Sequence, residues 1–176
     1  MTEAQFKSLI REVPDWPEPG VSFKDITPLL ADPDALAAAV AAMAQPFVDD
    51  GITKVVGIEA RGFIFASVIA HSLDAGFIPI RKAGKLPHDI HHQEYELEYG
   101  TDRIEVHSDA VGPGDRVLIV DDVLATGGTG KAAVDLINRL GADLCGFTVL
   151  AELEFLGGRA RLAGTEVHTV VHYGPA

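Results

Sequence analysis

The stretch from Val117 to Thr129 constrains the fold more than any other part of the sequence, because it joins an apolar run, an acidic pair and a loop of small residues. Residues 117–120 are all apolar and mostly β-branched, which is typical of a central parallel strand covered on both faces. Beyond the loop, apolar residues recur at the spacing of a packed helix: Ala133, Leu136, Ile137 and Leu140. The stretch therefore predicts a strand, a loop and a helix, and open α/β sheets bind their ligands at such loops.

The small residues of the loop favour a phosphate site. Backbone N–H groups at a turn that enters a helix can point together at an anion, and the turn here consists of Ala125, Thr126, Gly127, Gly128 and Thr129. The preceding carboxylates, Asp121 and Asp122, repel a phosphate and instead suit hydroxyl groups or a metal-bound neighbour. A phosphate beside a diol is a sugar phosphate, which is the ligand class that the stretch predicts.

Two commoner phosphate motifs do not fit this loop. A P-loop requires a glycine five residues before the glycine of its Gly-Lys pair and a serine or threonine after the lysine, but these positions hold Ala125 and Ala132. In the dinucleotide fingerprint the acidic residue follows the loop, whereas Asp121 and Asp122 precede it. Both an ATPase and a dinucleotide enzyme are therefore disfavoured.

The length of 176 residues suits a single domain over residues 1–176. A net charge of −12 argues against nucleic acid or an anionic membrane as a partner, because both require a basic surface. The sequence contains no leader pattern and no apolar run long enough to cross a membrane, and the lone Cys145 cannot form an internal disulfide. We expect a cytoplasmic protein whose few basic residues gather at any site for an anion.

Basic residues follow two further predicted strands. Lys54–Ile58 predicts a strand that ends near Arg61, before an apolar helix over residues 63–71. Arg61 is then either an anion ligand in the crevice or part of a salt bridge at the surface or a dimer contact. Phe77–Ile80 predicts another strand, followed by a group of cations that is either the rest of the anion site or a solvated charge run: Arg81, Lys82 and Lys85.

Residues 83–107 are predicted to form a flexible flap and hairpin over the site rather than a second domain. Residues 86–93 have no periodicity, which indicates a mobile loop. Residues 94–99 and 103–107 each alternate apolar and polar side chains around a turn at 100–102, as in an antiparallel hairpin. A metal site is disfavoured, because nothing fixes a ligand frame for the loop histidines, which are His88, His91 and His92.

The remaining patterns complete an α/β fold. Residues 2–12 predict an amphipathic helix, Asp32 and Pro33 the start of a second one, and Cys145–Leu150 a buried strand. A short helix and a last strand follow, over residues 153–163 and 167–171. Strands that alternate with helices predict a mainly parallel central sheet flanked by helices.

The stretch from Val117 to Thr129 resembles the phosphoribosyl-diphosphate (PRPP) signature of the type I phosphoribosyltransferases. Further blocks, in family order over nearly the whole chain, resemble the adenine phosphoribosyltransferases among them: Pro19–Thr27, Glu59–Phe63, Arg81–Pro87 and Leu97–Gly100. The first and last of these blocks separate the adenine enzymes from other members. The sequence departs from the pattern at Ala60, where some relatives carry serine, and at residues 88–92, which match no fixed pattern.

The resemblance implies the type I phosphoribosyltransferase fold, with a small N-terminal hood over residues 1–30. It implies transfer of the 5-phosphoribosyl group from PRPP to adenine, giving AMP and pyrophosphate in purine salvage. Mg²⁺ is implied as a cofactor held mainly by the substrate, along with a homodimer and a cis peptide bond between Glu59 and Ala60. The alternatives are an enzyme for another purine, xanthine or hypoxanthine, and a non-catalytic regulator that senses PRPP.

The resemblance also implies a role for each candidate residue. Asp121 and Asp122 bind the ribose hydroxyls, and Ala125–Thr129 bind the 5-phosphate. Four cations attend the pyrophosphate, and some of them are expected to reach in from a second subunit: Arg61, Arg81, Lys82 and Lys85.

For the base, the resemblance implies that Phe23 stacks on adenine while main-chain groups around Lys24 read its edge. Glu98 handles a proton near N7 of the base. Glu98 and Arg61 are therefore the residues expected to be catalytic, with a solvated hairpin glutamate as the other possibility for Glu98.

Overall fold

The computed structural model describes residues 1–96 and 100–174. Its helices are α1 (Glu3–Ser8), α2 (Thr27–Ala31), α3 (Pro33–Ala44), α4 (Gly62–Ser72), α5 (Gly128–Arg139) and α6 (Gly158–Arg161), with 3-10 turns at Gln45–Phe47 and Glu154–Leu156. Its strands are β1 (Arg11–Pro14), β2 (Ser22–Asp25), β3 (Lys54–Ile58), β4 (Gly76–Lys82), β5 (Ile90–Glu96), β6 (Thr101–His107), β7 (Arg116–Leu124), β8 (Asp143–Leu153) and β9 (Val167–Tyr173).

The central sheet has the strand order β5-β6-β4-β3-β7-β8-β9. Five consecutive strands of this order run parallel to one another: β4, β3, β7, β8 and β9. Strand β6 runs antiparallel to both of its neighbours, β4 and β5. The predicted mainly parallel α/β sheet is therefore confirmed. Strands β3 and β7 lie side by side at its centre, so the loops that follow them open at the same edge.

Strand β7 is buried on both faces, as its apolar run predicts. Leu118 and Val120 pack on one side, in a core built with α3 and α4. Val117 and Ile119 pack on the other side, in a core that contains the apolar face of α5. All four side chains are fully buried, which stabilises the fold by roughly 1.5–3 kcal/mol for each side chain.

The N-terminal segment differs from its predicted form. The first helix ends at Ser8, and Val13 lies in β1, where it pairs with Phe23 of β2 in a separate antiparallel ribbon. Helical spacing alone predicted a longer helix, because it contains no information about a partner strand ten residues further along the chain. The expected start of α3 is confirmed, since the Asp32 side chain accepts hydrogen bonds from the amides of Asp34 and Ala35.

The predicted hairpin is confirmed, but its first strand begins earlier than expected. β5 starts at Ile90, so His91 and His92 lie on a strand rather than in a loop. Strand β6 also pairs with β4, through Arg81 opposite Glu105, and the hairpin thereby continues the central sheet. None of the described helices is long and apolar enough to span a membrane.

Candidate active site

A cleft of about 230 Å³ opens at the carboxyl ends of β3 and β7. We call it the central cleft. The loops that follow β3 and β7 form this cleft, because loops after neighbouring parallel strands lie together at one edge of a sheet. It is lined by residues 58–61, Lys82, residues 121–130 and Phe147. The two segments singled out in the sequence, around Arg61 and from Asp121 to Thr129, therefore meet in one site.

Residues 125–129, here called the phosphate loop, lead from β7 into α5. Gly127 has a φ of 80°, in the left-handed region that favours glycine, and a Cβ there would lie only 2.5 Å from the carbonyl oxygen of Gly158. Gly127 is the N-cap of α5, and no side chain of the described residues caps this helix. The amides of the first helical turn are thus available to an anion in the cleft.

The acidic pair lies at the end of β7, against the start of α4. Asp122 is 5% exposed and forms an ion pair with Arg61, with 2.9 Å between Nε and Oδ2. Asp121 is partly exposed in the cleft, and its Oδ1 accepts a hydrogen bond from the Asp122 amide at 2.9 Å. A Cβ on Gly62 would come within 2.9 Å of that same oxygen, so glycine allows α4 to begin beside the pair.

Burial makes both carboxyl groups harder to ionise. Desolvation and then the charge of Asp122 raise the pKa of Asp121 well above its ordinary value. Desolvation also raises the pKa of Asp122, although the nearby guanidinium of Arg61 acts in the opposite direction. Two adjacent acids with raised pKa values are costly to the fold, which indicates that they are retained for a ligand.

Glu59 gathers two of the predicted cations at the mouth of the cleft. Its carboxylate accepts hydrogen bonds from the Lys85 ammonium, from the Lys82 amide at 2.9 Å and from Arg81 at 3.4 Å. Burial alone would raise the pKa of Glu59, but these hydrogen bonds outweigh it and lower the pKa to about 2. Arg81 and Lys85 thus lie beside the central cleft, whereas Lys82 and Arg61 line it.

Lys82 has an acidic partner of its own. Its ammonium contacts the Asp102 carboxylate and the Tyr95 hydroxyl, and Tyr95 donates a hydrogen bond to Asp102 at 2.9 Å. Burial lowers the pKa of Lys82, but the hydrogen bonds to Asp102 and Tyr95 outweigh it and raise the pKa above its usual value. The hairpin therefore contributes directly to the cation side of the cleft.

A second cavity of about 160 Å³ adjoins the central cleft, and we call it the side cavity. Arg61, Val123 and Ala125 line both. Phe23 projects into the side cavity from β2, with its ring centroid 5.0 Å from the Arg61 guanidinium carbon. The remaining lining residues are Val21, Ser22, Lys24 and Leu153.

The Lys24 side chain makes contacts with other elements of the fold. Its ammonium lies 2.5 Å from Glu12 Oε1 on β1 and 4.7 Å from the ring centroid of Tyr173 on β9. These contacts tie the β1–β2 ribbon to the central sheet. Glu98, the other residue expected at the base, lies outside the described residues.

Comparison with known proteins decides the family. A phosphoribosyl transferase domain matches residues 29–169. The chain is 58% identical to an adenine phosphoribosyltransferase of Thermobifida fusca, over 92% of each protein. It is 61% identical to one of Streptomyces clavuligerus, over 90% of this chain and 89% of that protein. The chain belongs to the adenine phosphoribosyltransferases.

Solved structures of this family have the same fold. The adenine phosphoribosyltransferase of Rhodothermus marinus superposes with a TM-score of 0.93 at 55% identity, covering 97% of this chain and 98% of that one. The Saccharomyces cerevisiae enzyme, solved with an imino-altritol bisphosphate and adenine, gives a TM-score of 0.91 at 36% identity, covering 96% and 98%. The peptide bond between Glu59 and Ala60 is cis, as the family resemblance predicted.

Sequence reasoning missed two residues at the central cleft. The sequence did not indicate that Glu59 binds cations, because the groups that contact its carboxylate lie on β4 and the loop after it and not near Glu59 in the sequence. Gly158 lies against the phosphate loop, and a Cβ there would be 2.2 Å from the Ala125 carbonyl oxygen. The only signal for it in the sequence is the Gly157-Gly158 pair, which interrupts the helix predicted over residues 153–163; the structure has a 3-10 turn at Glu154–Leu156 and α6 at Gly158–Arg161 instead.

Proposed function

We propose that this chain transfers the 5-phosphoribosyl group of PRPP to adenine, forming AMP and releasing pyrophosphate in purine salvage. The observation that carries the proposal is the adjacency of the two cavities. An acid-lined cleft with a phosphate loop shares Arg61, Val123 and Ala125 with a pocket that presents an aromatic ring. A sugar phosphate in the cleft would thus present its anomeric carbon to a planar base.

The groups around the cleft match the charges that develop in this reaction. As the bond between the anomeric carbon and pyrophosphate breaks, positive charge grows on the ribose and negative charge on the leaving group. We assign the ribose hydroxyls to Asp121 and Asp122 and the 5-phosphate to the phosphate loop. We assign the leaving group to the cations Arg61, Arg81, Lys82 and Lys85.

The acidic pair also fits a role for Mg²⁺. Within residues 1–96 and 100–174, no three His, Cys, Asp or Glu side chains lie close enough together to hold a metal ion. Mg²⁺ is commonly bound by one or two carboxylates together with substrate phosphates and water, and Asp121 and Asp122 offer such carboxylates in the cleft. We propose that Mg²⁺ is held mainly by PRPP, where it neutralises charge on the leaving pyrophosphate.

We assign the base to the side cavity. Phe23 stacks on the adenine ring, main-chain groups around Lys24 bind its edge, and Glu98 carries the proton near N7. The contacts of the Lys24 ammonium with Glu12 and Tyr173 support a main-chain role, since they direct its side chain elsewhere. We propose that segment 83–107 covers the site when substrates are bound.

We further propose that the chain acts in the cytoplasm as a homodimer. Exposed apolar side chains on α4 and β4 support the dimer: Ile64, Val68 and Phe77 are 38%, 42% and 37% exposed. This face begins next to Arg61, at the start of α4. A second copy packed on it could therefore supply some of the cations for pyrophosphate.

A turnover assay with PRPP, Mg²⁺ and single free bases tests the proposal. We expect AMP formation from adenine and little product from xanthine or hypoxanthine. Turnover of xanthine but not adenine would assign the enzyme to another purine. Binding of PRPP without turnover of any base would indicate a regulator that senses PRPP.

A further inference from the structure

Gly158 packs directly on the backbone of the phosphate loop. A Cβ on Gly158 would lie 2.2 Å from the Ala125 carbonyl oxygen and 2.9 Å from the Gly127 nitrogen. The contact is reciprocal, because a Cβ on Gly127 would lie 2.5 Å from the Gly158 carbonyl oxygen. The shape of the loop therefore depends on where Gly158 lies.

The next residue, Arg159, fixes the position of Gly158. Its guanidinium makes a two-pronged contact with Glu152 on β8, with 3.0 Å from Nε to Oε1 and 2.5 Å from Nη2 to Oε2. It also donates hydrogen bonds to the Val167 carbonyl at 2.8 Å and the Thr169 hydroxyl at 3.0 Å on β9. We call Arg159, Glu152, Val167 and Thr169 the Arg159 network.

The network is built into the sheet. Glu152 is 3% exposed, and its register partner is Leu124, the last residue of β7 before the phosphate loop. Thr169 donates a second hydrogen bond to the Glu152 carboxylate, at 2.9 Å. Planar, two-pronged contacts between arginine and a carboxylate hold geometry better than single ones, so the network joins β8, β9 and α6 as one unit.

The electrostatics of Glu152 agree with this geometry. Burial would raise its pKa, but hydrogen bonds from Arg159 and then Thr169 outweigh burial and lower the pKa below its usual range. The carboxylate is thus charged at neutral pH and remains bound to the guanidinium.

We infer that Arg159 is a positioning residue, which holds Gly158 against Ala125 and Gly127 and thereby shapes the phosphate loop for the 5-phosphate of PRPP. The inference rests on the proposed function. The hydrogen bonds of the Arg159 side chain go to β8 and β9 rather than to the phosphate loop, so it acts through Gly158 rather than on the ligand. Its loss should therefore weaken 5-phosphate binding while leaving the side cavity unchanged.

The Arg159→Gln variant tests this inference. It keeps a polar side chain but cannot make the two-pronged contact. We expect its KM for PRPP to rise about tenfold, because a displaced phosphate loop would bind the 5-phosphate less well. Its KM for adenine should stay within about twofold of the wild-type value. Calorimetric titration with ribose 5-phosphate should show the same weakening without any base. Gly158→Ala should have a larger effect of the same kind.

Arg116→Gln is the matched control. Arg116 likewise binds a carboxylate, Asp143 at 2.5 Å, and a backbone carbonyl, Asp50 at 2.6 Å, but it lies at the opposite end of β7. We expect this control to keep the wild-type KM for PRPP. Circular dichroism establishes that each variant is folded, and Arg159→Lys takes the place of Arg159→Gln if the latter is not.

Each outcome of these measurements is informative. Unchanged affinity of folded Arg159→Gln for ribose 5-phosphate would overturn the inference, as would an equal rise of both KM values. A Glu152→Gln variant with partial recovery relative to Glu152→Ala would support it, because an amide oxygen can still accept from Arg159. Failure of the proposed function is a separate result, since the wild-type protein would then form no AMP from adenine and PRPP.

Discussion

At the residue scale, the acidic pair of β7 shows a conflict between stability and function. Asp121 and Asp122 are adjacent and largely removed from water, and a single guanidinium, that of Arg61, forms an ion pair with one of them. A fold without a ligand for them gains nothing from two such carboxylates. Two hydroxyl groups of a ribose would supply the donors that the pair lacks.

The Asp121→Asn variant separates these effects. The folded-state pKa of Asp121 is raised, so the folded state binds more protons and the stability of the wild type falls as pH rises above about 4. Asparagine removes this penalty, and we expect a higher melting temperature than wild type at pH 7 but not in acid. The KM for PRPP should rise about tenfold or more, since a hydrogen bond to a charged group contributes roughly 1.5–3 kcal/mol.

Steady-state kinetics and thermal unfolding at pH 7 and pH 4 check this prediction. Asp143→Asn is the control, because Asp143 is an exposed strand residue paired with Arg116. Full activity of Asp121→Asn would remove the ribose-binding role from Asp121.

The predicted proton carrier, Glu98, has a different kinetic signature. If it handles a proton in the chemical step, Glu98→Ala lowers kcat by roughly 10²-fold or more. A neighbouring glutamate on the same predicted strand, Glu94, provides the control substitution Glu94→Ala, for which we expect a wild-type kcat. Pre-steady-state measurement of AMP formation isolates the chemical step. A change confined to KM would mean that Glu98 only binds the base.

At the scale of elements, Glu59 joins three pieces of the cleft. It follows β3, its carboxylate binds the end of β4 through Arg81 and the Lys82 amide, and Lys85 brings the next loop to the same group. The side chain of Glu59 is 12% exposed, so these contacts are only weakly screened by water. The edge of the cleft thus depends on one charge.

Glu59→Gln should destabilise the fold in a pH-dependent way. The folded-state pKa is lowered from 4.5 to about 2, so the contribution of Glu59 is complete above pH 4.5 and is lost as pH falls towards 2. We expect the variant to lose up to roughly 3 kcal/mol of unfolding free energy at pH 7, and progressively less below pH 4.5.

Urea unfolding from pH 7 down to pH 3 measures the difference between wild type and Glu59→Gln. The control Asp143→Asn removes an exposed partner of Arg116, for which a change below about 1 kcal/mol is expected at every pH. A Glu59→Gln difference that stays constant down to pH 3 would contradict the assignment of the low pKa.

Elements with a strong local pattern were predictable from the sequence. The β3 bounds, Lys54–Ile58, match the predicted strand, and α3 begins after Asp32 as its cap indicates. The β1–β2 ribbon and helix α2 were missed, because the ribbon depends on pairing between separate segments and α2 is a single short turn. Local periodicity carries no information about such partners.

The same division applies to the site. The position of the phosphate loop and of the acidic pair in a cleft at a strand end was predictable, because ligand sites in open α/β sheets lie at the carboxyl ends of the strands. The support of that loop by Gly158 was not predictable, because the two glycines that touch, Gly127 and Gly158, are 31 positions apart in the sequence. Contacts made by backbone atoms leave no side-chain pattern to read.

At the scale of the whole molecule, the cations at the proposed anion site of this acidic protein are each paired with a carboxylate of the same chain. The chain has a net charge of −12, and each cation assigned to pyrophosphate has a carboxylate partner: Arg61 with Asp122, Arg81 and Lys85 with Glu59, and Lys82 with Asp102. If these cations bind pyrophosphate as proposed, the leaving group competes with these carboxylates. Weak retention of pyrophosphate is useful to a transferase that must release it.

The apolar face of α4 and β4 predicts a dimer whose disruption lowers activity. Val68 is 42% exposed and lies one helical turn after the exposed Ile64 on α4, and burying such side chains against a second copy is favourable by roughly 25 cal/mol for each Å² of apolar surface. A charge placed there opposes association, because it must lose its hydration without a partner. We expect light scattering to give twice the chain mass for the wild type and a single chain mass for Val68→Asp.

The same substitution at Val48 is the control for this prediction. Val48 is 60% exposed and follows the 3-10 turn at residues 45–47, so it belongs to neither α4 nor β4. Val48→Asp should remain dimeric and active, whereas monomeric Val68→Asp should have a raised KM for PRPP if the partner supplies cations. A wild type that is monomeric at assay concentrations, or a Val48→Asp variant that dissociates equally, would contradict this assignment. If Val68→Asp is monomeric but has wild-type kinetics, the α4 face is still the dimer interface of the wild type. All four cations then come from one subunit.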